Sequence, residues 1–371
     1  MNKRYIHLTG LNGIRAIAAI AVVLSHINLE LRIFNLPPVK YLDLAGHGVT
    51  MFFALSGFLI TYLLMHEKQI DEIDIKKFYL RRVLRIWPLY LLYLFVALFV
   101  SYQFNILQRL SLFPLAYYVF FTANIPFILG DVLPFNAHLW SIGVEEQFYL
   151  FWPWIIKKTN KNTLNVLIVF IFIYLLLKLL CRFIEYQWGN QYPYLATQVM
   201  RFDCMAIGGV GALLFYKNNK TFKRIVYLKA VQILAWVVIL LLAFNKFHVV
   251  SIIDPEIISV ITVIIIVNVS NNPRTLIHLD YTIFNFLGKI SYGIYVIHPL
   301  VIYLYAKILN IINIHSYIKF VLVYTGVLSF TIWLAYLSFT FFEKKFINLK
   351  DKFSVIKSSN IKEVEILKRY R

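Results

Sequence analysis

The sequence predicts an all-α, polytopic integral membrane protein with about ten transmembrane helices and both termini in the cytoplasm. Three observations carry that prediction. The 371-residue chain is 60% hydrophobic and 17% aromatic but only 15% charged, a balance foreign to soluble domains of this length. Apolar runs long enough to cross a ~30 Å hydrocarbon core as helices recur from Gly13 to Phe342, separated by short polar connectors. The basic residues are shared unequally among those connectors.

The first run, 13–29, follows Lys3 and Arg4 as a signal peptide's apolar core would. It carries Arg15 and His26 and lacks a small-residue cleavage site, so it reads as a retained span. The others fall at 47–65, 86–104, 138–156, 163–181, 195–216, 230–245, 251–269, 282–304 and 318–342. Residues 105–137 are apolar but broken by Pro114, Pro126 and Pro134. They read as a re-entrant or interfacial stretch on the outer side, where non-helical backbone needs protein cover. The organisation is then a membrane domain, 1–342, and a basic cytoplasmic tail, 343–371, lying near anionic headgroups.

An even number of spans puts both termini on one side. Segments assigned to the cytoplasm hold 26 of the 37 Lys and Arg residues, whereas the outer loops hold six: Arg32, Lys40, Arg109, Arg182, Lys246 and Lys307. A miscounted span would invert every later loop and erase that bias. The net charge of +19 is therefore a topology signal rather than a nucleic-acid footprint, because no basic, aromatic-interleaved module is present. Cys181 and Cys204 both fall inside predicted spans, which argues against a disulfide framework or a zinc site. His26, His47, His138 and His298 show no close metal-ligand spacing, so no metal is expected.

Ionisable groups inside spans mark the candidate chemistry, because each is costly there unless it is paired or used. Arg15 and His26 are eleven residues apart, close to three helical turns, and share a face, with His26 roughly 20 Å beyond the cytoplasmic end of the helix. In "FYLRRVLRIWPLY" (78–90), Arg82 and Arg85 share a face beside Arg81. Their planar donor forks suit phosphate oxygens, although a positive-inside anchor reads the same way. In "HLWSIGVEEQFYLFWPW" (138–154), Ser141 and Glu145 share a face and Glu146 points about 100° away. Glu145 is the candidate to orient His26 or balance its charge. Arg201 and Asp203 in "RFDCMAIGGVG" read as a buried structural pair. "GHGVTMFFALSGFLIT" (46–61) has glycines that permit close helix packing, and "GKISYGIYVIHPL" (288–300) sets Ser291, Tyr292 and His298 along one span.

Taken in this order, "LNGIRAIAAIAVVLSH", "GVTMFFALSGFLIT", "FYLRRVLRIWPLY", "HLWSIGVEEQFYLFWP", "RFDCMAIG" and "LGKISYGIYVIHPL" resemble the membrane-bound acyltransferase-3 family of integral-membrane O-acyltransferases, over about residues 8 to 345. The resemblance implies transfer of an acetyl group from cytosolic acetyl-CoA to a sugar hydroxyl of a surface polysaccharide or lipid-linked precursor, at the cytoplasmic (inner) membrane. It implies that Arg15 and His26 match the family's essential pair, that Arg82 and Arg85 match its acyl-donor motif, and that Glu145 matches the glutamate of the "WSIGVEE" motif. His26 and Glu145 are then the catalytic candidates and Arg15, Arg82 and Arg85 the donor-binding ones. Trp140, Ser141, Glu146, Arg201, Asp203, Ser291, Tyr292 and His298 are supporting candidates. Some members carry a fused extracytoplasmic hydrolase-like domain; this sequence shows none, so such a partner is expected to be a separate protein or unnecessary. The expected partners are membrane lipids and the saccharide acceptor. Two other classes also place polar groups in a bundle: a transporter or flippase for lipid-linked sugars, and a scaffold without turnover. No paired, interrupted half-helices mark the transporter class.

Overall fold

In the computed structural model, residues 4–6, 8–39, 44–106, 112–353 and 356–358 are described. The chain is a helical bundle. Its helices are α1 (Leu11–Leu29), α2 (Ala45–Ile70), α3 (Ile75–Gln103), α4 (Leu112–Val119), α5 (Asn124–Leu129), α6 (Trp140–Lys158), α7 (Thr163–Trp188), α8 (Tyr192–Met200) and α9 (Phe202–Tyr216). They continue as α10 (Lys220–Val226), α11 (Lys229–Ala243), α12 (Asp254–Asn271), α13 (Thr282–Leu309), α14 (Ser316–Leu337) and α15 (Lys344–Lys350). A three-residue parallel pair, β1 (Arg4–Ile6) and β2 (Ile356–Ser358), lays the two ends side by side, Arg4 opposite Ile356. Lys40, Arg109 and the tail beyond residue 358 lie outside the described residues.

Among the described residues, eight helical stretches are long and apolar enough to cross a membrane, and α10 with α11 makes a ninth if the pair, bent by 59°, counts as one span. The expected span at 230–245 is α11, only 15 residues, or roughly 22 Å, so it needs α10 to approach a full crossing. The expected fourth span is α6, whose Glu145, Glu146, Lys157 and Lys158 make it too charged to qualify on composition. The sixth, expected as continuous over 195–216, breaks at Arg201, which sits in the left-handed region with φ 42°. The boundary expected at 342 falls inside a helical stretch, because Ser316–Phe353 runs on through a π-helical turn at Ser338–Glu343.

The helix α2 sits at the centre, against α9, α1, α12 and α6. Glycines let α2 and α9 touch backbone to backbone: a Cβ on Gly57 would fall 1.9 Å from the Met205 carbonyl oxygen, and one on Gly208 2.0 Å from that of Ala54. Without a hydrophobic force between helices in lipid, such close approach carries the packing. Gly57→Ala is therefore expected to force the two helices apart and lower the melting temperature in detergent; an unchanged melting curve would refute that role. The helix α7 is the opposite case, with Ile168, Val169, Phe172, Ile173, Leu179 and Leu180 all exposed, as a lipid-facing helix requires.

Side-chain contacts gather the basic connectors on one face. The Lys68 ammonium donates to the carbonyls of Ile156 (2.7 Å), Lys157 (3.0 Å) and Thr159, closing the C-terminus of α6 where a cation is favoured. Lys157 reaches Glu72 at 3.2 Å. Asp74 caps α3 by accepting from the Lys77 backbone N–H, and this hydrogen bond, with the Lys77 ammonium 3.1 Å away, holds its carboxyl below the usual range. Elsewhere, Asn310 donates to the Ile33 carbonyl at 2.8 Å and Tyr93 to that of Phe135 at 2.7 Å. The broken stretch 112–137 folds in part as the short helices α4 and α5, and neighbouring helices bond to some of its carbonyls. Tyr90 donates to the Tyr118 carbonyl (2.8 Å), and Gln147 to that of Phe121 (3.2 Å).

Candidate active site

Five helices, α1, α2, α3, α6 and α13, enclose a cavity of about 360 Å³. Arg15 and Asn12 enter it from α1, with Arg15 Nη1 donating to Asn12 Oδ1 at 3.4 Å. From α3 come Arg82 and Arg85, three apart and hence on one face. Their neighbour Arg81 is committed elsewhere: it pairs with Glu67 at 2.8 Å and donates to the Phe353 carbonyl at 3.1 Å, tying α3 to α2 and to the C-terminal segment. The Arg82 guanidinium lies 5.5 Å from each of the Phe78 and Tyr149 ring centroids, and its buried Nε has no hydrogen-bond partner. A planar guanidinium sandwiched by rings is held in place with its outer donors still available.

Opposite these cations stand Glu145 and Tyr149, one turn apart on α6, with Ser56 of α2 and Lys289 and Tyr292 of α13. Ser56 Oγ and the Tyr149 hydroxyl are 2.5 Å apart. Tyr292 donates to the Ile86 carbonyl at 2.7 Å, fastening α13 to α3. Ser291 lines the wall and donates to the Gly288 carbonyl at 2.9 Å. At one end of the cavity the hydroxyls of Ser141 and Tyr295 meet at 2.6 Å, and Tyr295 donates to the His138 carbonyl at 2.9 Å.

Next to this end, but not among the lining residues, lies a histidine pair. His26 Nδ1 is 2.6 Å from His298 Nε2, with the rings 19° from parallel. His298 Nδ1 is 2.7 Å from the Tyr295 carbonyl oxygen. Across the bundle His26 meets His298 of α13, a contact that the expectation for Glu145 and His26 did not include. Glu145 faces the hydroxyls of Ser56 and Tyr149.

A family model described as an acyltransferase domain matches residues 8–340. The chain belongs to the acyltransferase-3 family. Among curated relatives, the protein named Putative O-acetyltransferase SACOL0978 of Staphylococcus aureus strain COL is 29% identical over 381 residues, covering 93% of this chain and 58% of the relative. O-acetyltransferase OatA of S. aureus strain NCTC 8325 is 28% identical over 330 residues, covering 80% of this chain and 51% of OatA. The chain thus spans between half and three-fifths of the length of these relatives. No solved structure matches.

The remaining candidates of this acyltransferase-3 chain sit outside the cavity. Trp140 packs on Phe127 (5.2 Å between ring centroids) and Phe53 (6.1 Å). Glu146 accepts from Trp87 Nε1 at 3.0 Å. Arg201 and Asp203 do not pair, which corrects the expectation. Residues two apart do not face each other on a helix, and the left-handed backbone of Arg201 turns it to donate to the Gly46 carbonyl (3.0 Å) and Thr50 Oγ1 (2.6 Å). Asp203 instead lies 2.7 Å from the Lys178 ammonium, which also reaches Glu256 at 2.5 Å, a buried triad across α7, α9 and α12. Among the described residues, no group of three His, Cys, Asp or Glu side chains is arranged to hold a metal ion. Sequence reasoning missed Tyr149, Tyr295 and Lys289. Two of them carried a signal, since Tyr149 follows Glu145 by four residues and Tyr295 precedes His298 by three, so each shares a face with a residue already singled out.

Proposed function

We propose that this chain is an integral-membrane O-acetyltransferase that moves an acetyl group from cytosolic acetyl-CoA to a sugar hydroxyl of a surface polysaccharide or lipid-linked precursor. The observation that carries the reading is the cavity itself, which collects Arg15, Arg82, Arg85 and Lys289 against Glu145, Tyr149 and Ser56. Four cations around one cleft suit a phosphate-bearing ligand, and a bilayer charges heavily for cations without such a purpose. The face that gathers the basic connectors and both chain ends would be cytoplasmic by the positive-inside rule, opening the cavity to a cytosolic donor in the inner membrane. The acceptor oxygen forms a bond to the thioester carbon and the C–S bond breaks. The hydroxyl proton passes to a base, for which His26 is the candidate, and the departing thiolate is protonated in turn.

Purified protein mixed with acetyl-CoA and a glycan acceptor is expected to release free thiol in step with ester formation. A transporter, flippase or scaffold would release none. Arg82→Ala with Arg85→Ala is expected to weaken acetyl-CoA binding by about 10-fold or more, as loss of charge-assisted hydrogen bonds worth about 1.5–3 kcal/mol each implies, at unchanged membrane abundance. Arg→Lys should restore little, because an ammonium cannot reproduce the fork. Unchanged donor affinity in the double variant would return both arginines to a topology anchor.

A further inference from the structure

We infer that His298 is a positioning residue that fixes the tautomer of His26, so that the basic lone pair of His26 lies on Nε2. The inference rests on the reading of His26 as the base, and it begins with a proline. Pro299 lies inside α13 and has no N–H, so the Tyr295 carbonyl four residues earlier lacks its helical donor. In a membrane bundle a freed carbonyl must find another donor. His298 supplies it, with Nδ1 2.7 Å from that oxygen and a longer 3.3 Å approach to the Ile294 carbonyl. A carbonyl only accepts, so the proton of neutral His298 is on Nδ1 and its lone pair is on Nε2.

That lone pair is 2.6 Å from His26 Nδ1, so His26 Nδ1 is the donor. Neutral His26 then carries its own lone pair on Nε2, the other edge of the ring. His138 closes the far side: its ring centroid is 5.3 Å from that of His298, and its Nε2 lies 3.0 Å from the Val296 carbonyl, so it too is fixed as a donor to α13 backbone. With His298 fully buried and His138 4% exposed, neither ring is left to rotate in solvent. When His26 Nε2 takes the acceptor proton, the Nδ1–H to His298 hydrogen bond becomes charge-assisted and strengthens. This is the base-and-orienter logic of nucleophile activation with a neutral imidazole in the orienting place.

Nitrogen-15 NMR of the full-length protein in lipid, with labelled histidine and the His26 signal assigned by its absence in His26→Ala, tests this directly. The expected spectrum shows neutral His26 protonated on Nδ1 in the wild type, and a redistribution between tautomers in His298→Leu. Kinetics give the second arm. His298→Leu is expected to lower kcat about 100-fold with the KM for acetyl-CoA unchanged, because His298 does not line the donor cavity. His298→Gln is expected to recover to within about 10-fold of wild type, since its amide offers a donor toward the Tyr295 carbonyl and an acceptor toward His26. Wild-type His26 protonated on Nε2, or His298→Leu turning over at the wild-type rate while His26→Ala is inactive, would overturn the positioning role alone. An active His26→Ala would instead remove the base that His298 is said to orient.

Discussion

Replacing His26 with alanine is expected to leave an inserted, folded protein that binds acetyl-CoA normally and acetylates about 10²–10⁴-fold more slowly, the usual cost of losing a general base. In the proposed reaction the acceptor is a sugar hydroxyl with a pKa far above 7, which would have to lose its proton as it attacks a thioester. Imidazole titrates close enough to neutrality to take that proton and give it back. The donor half should survive because His26 is not among the residues lining the cavity, where Arg15, Arg82 and Arg85 stand. Turnover and donor affinity, measured separately at matched membrane abundance, decide the matter. Near-wild-type turnover would reduce His26 to a packing residue, while loss of donor affinity along with rate would place it in the binding site instead. Quenched-flow labelling with radiolabelled acetyl-CoA in the absence of acceptor distinguishes direct base catalysis, which leaves the protein unlabelled, from a covalent acetyl-imidazole, which labels His26.

His26, Arg15, Arg82, Arg85 and Glu145 stood out in the sequence as candidates for one physical reason: each is an ionisable group in or beside an apolar run, and the membrane penalty makes such groups conspicuous. Four of them, all but His26, line the cavity. Helical periodicity then assigned faces correctly within a helix, so Arg82 and Arg85 do enter the same cavity. What periodicity cannot supply is the partner across the bundle. His26 and His298 are 272 positions apart in sequence, and nothing at either position specifies the other. Glu145 was the nearer guess because it too is a membrane carboxylate; in the fold it meets the hydroxyls of Ser56, from α2, and of Tyr149, one turn along its own helix. Backbone breaks were hidden for a related reason. Arg201 adopts a left-handed conformation that no residue-level preference predicts, because its guanidinium is held by the Gly46 carbonyl and Thr50 of a helix some 150 residues away. The π-helical turn at Ser338–Glu343, where Ser338 donates to Glu343 at 2.9 Å, likewise carries the helix past the point where the apolar pattern ends.

Lys178 shows the cost of that limit most clearly, and it supports the second large expectation. Within the sequence it is one cation in an otherwise apolar span. In the fold its ammonium, fully buried, lies 2.7 Å from Asp203 and 2.5 Å from Glu256, and beside the Tyr174 ring at 5.5 Å. Lys178→Met would keep the volume and remove the charge, leaving two carboxyl groups facing each other in an apolar interior. Breaking a buried ion pair from one side costs about 3–5 kcal/mol, because the stranded charge has no water to turn to. The variant is expected to accumulate poorly and to melt well below wild type in detergent. Adding Asp203→Asn and Glu256→Gln should recover most of that loss, since the penalty comes from the uncompensated carboxyl groups and not from the absence of lysine. A single variant that melts with wild-type protein would refute the structural role. If it also lost acetyl transfer, the triad would have to be reassigned from holding α7, α9 and α12 together to the chemistry of the site, because a defect in rate without a defect in stability cannot come from a helix that has merely come loose.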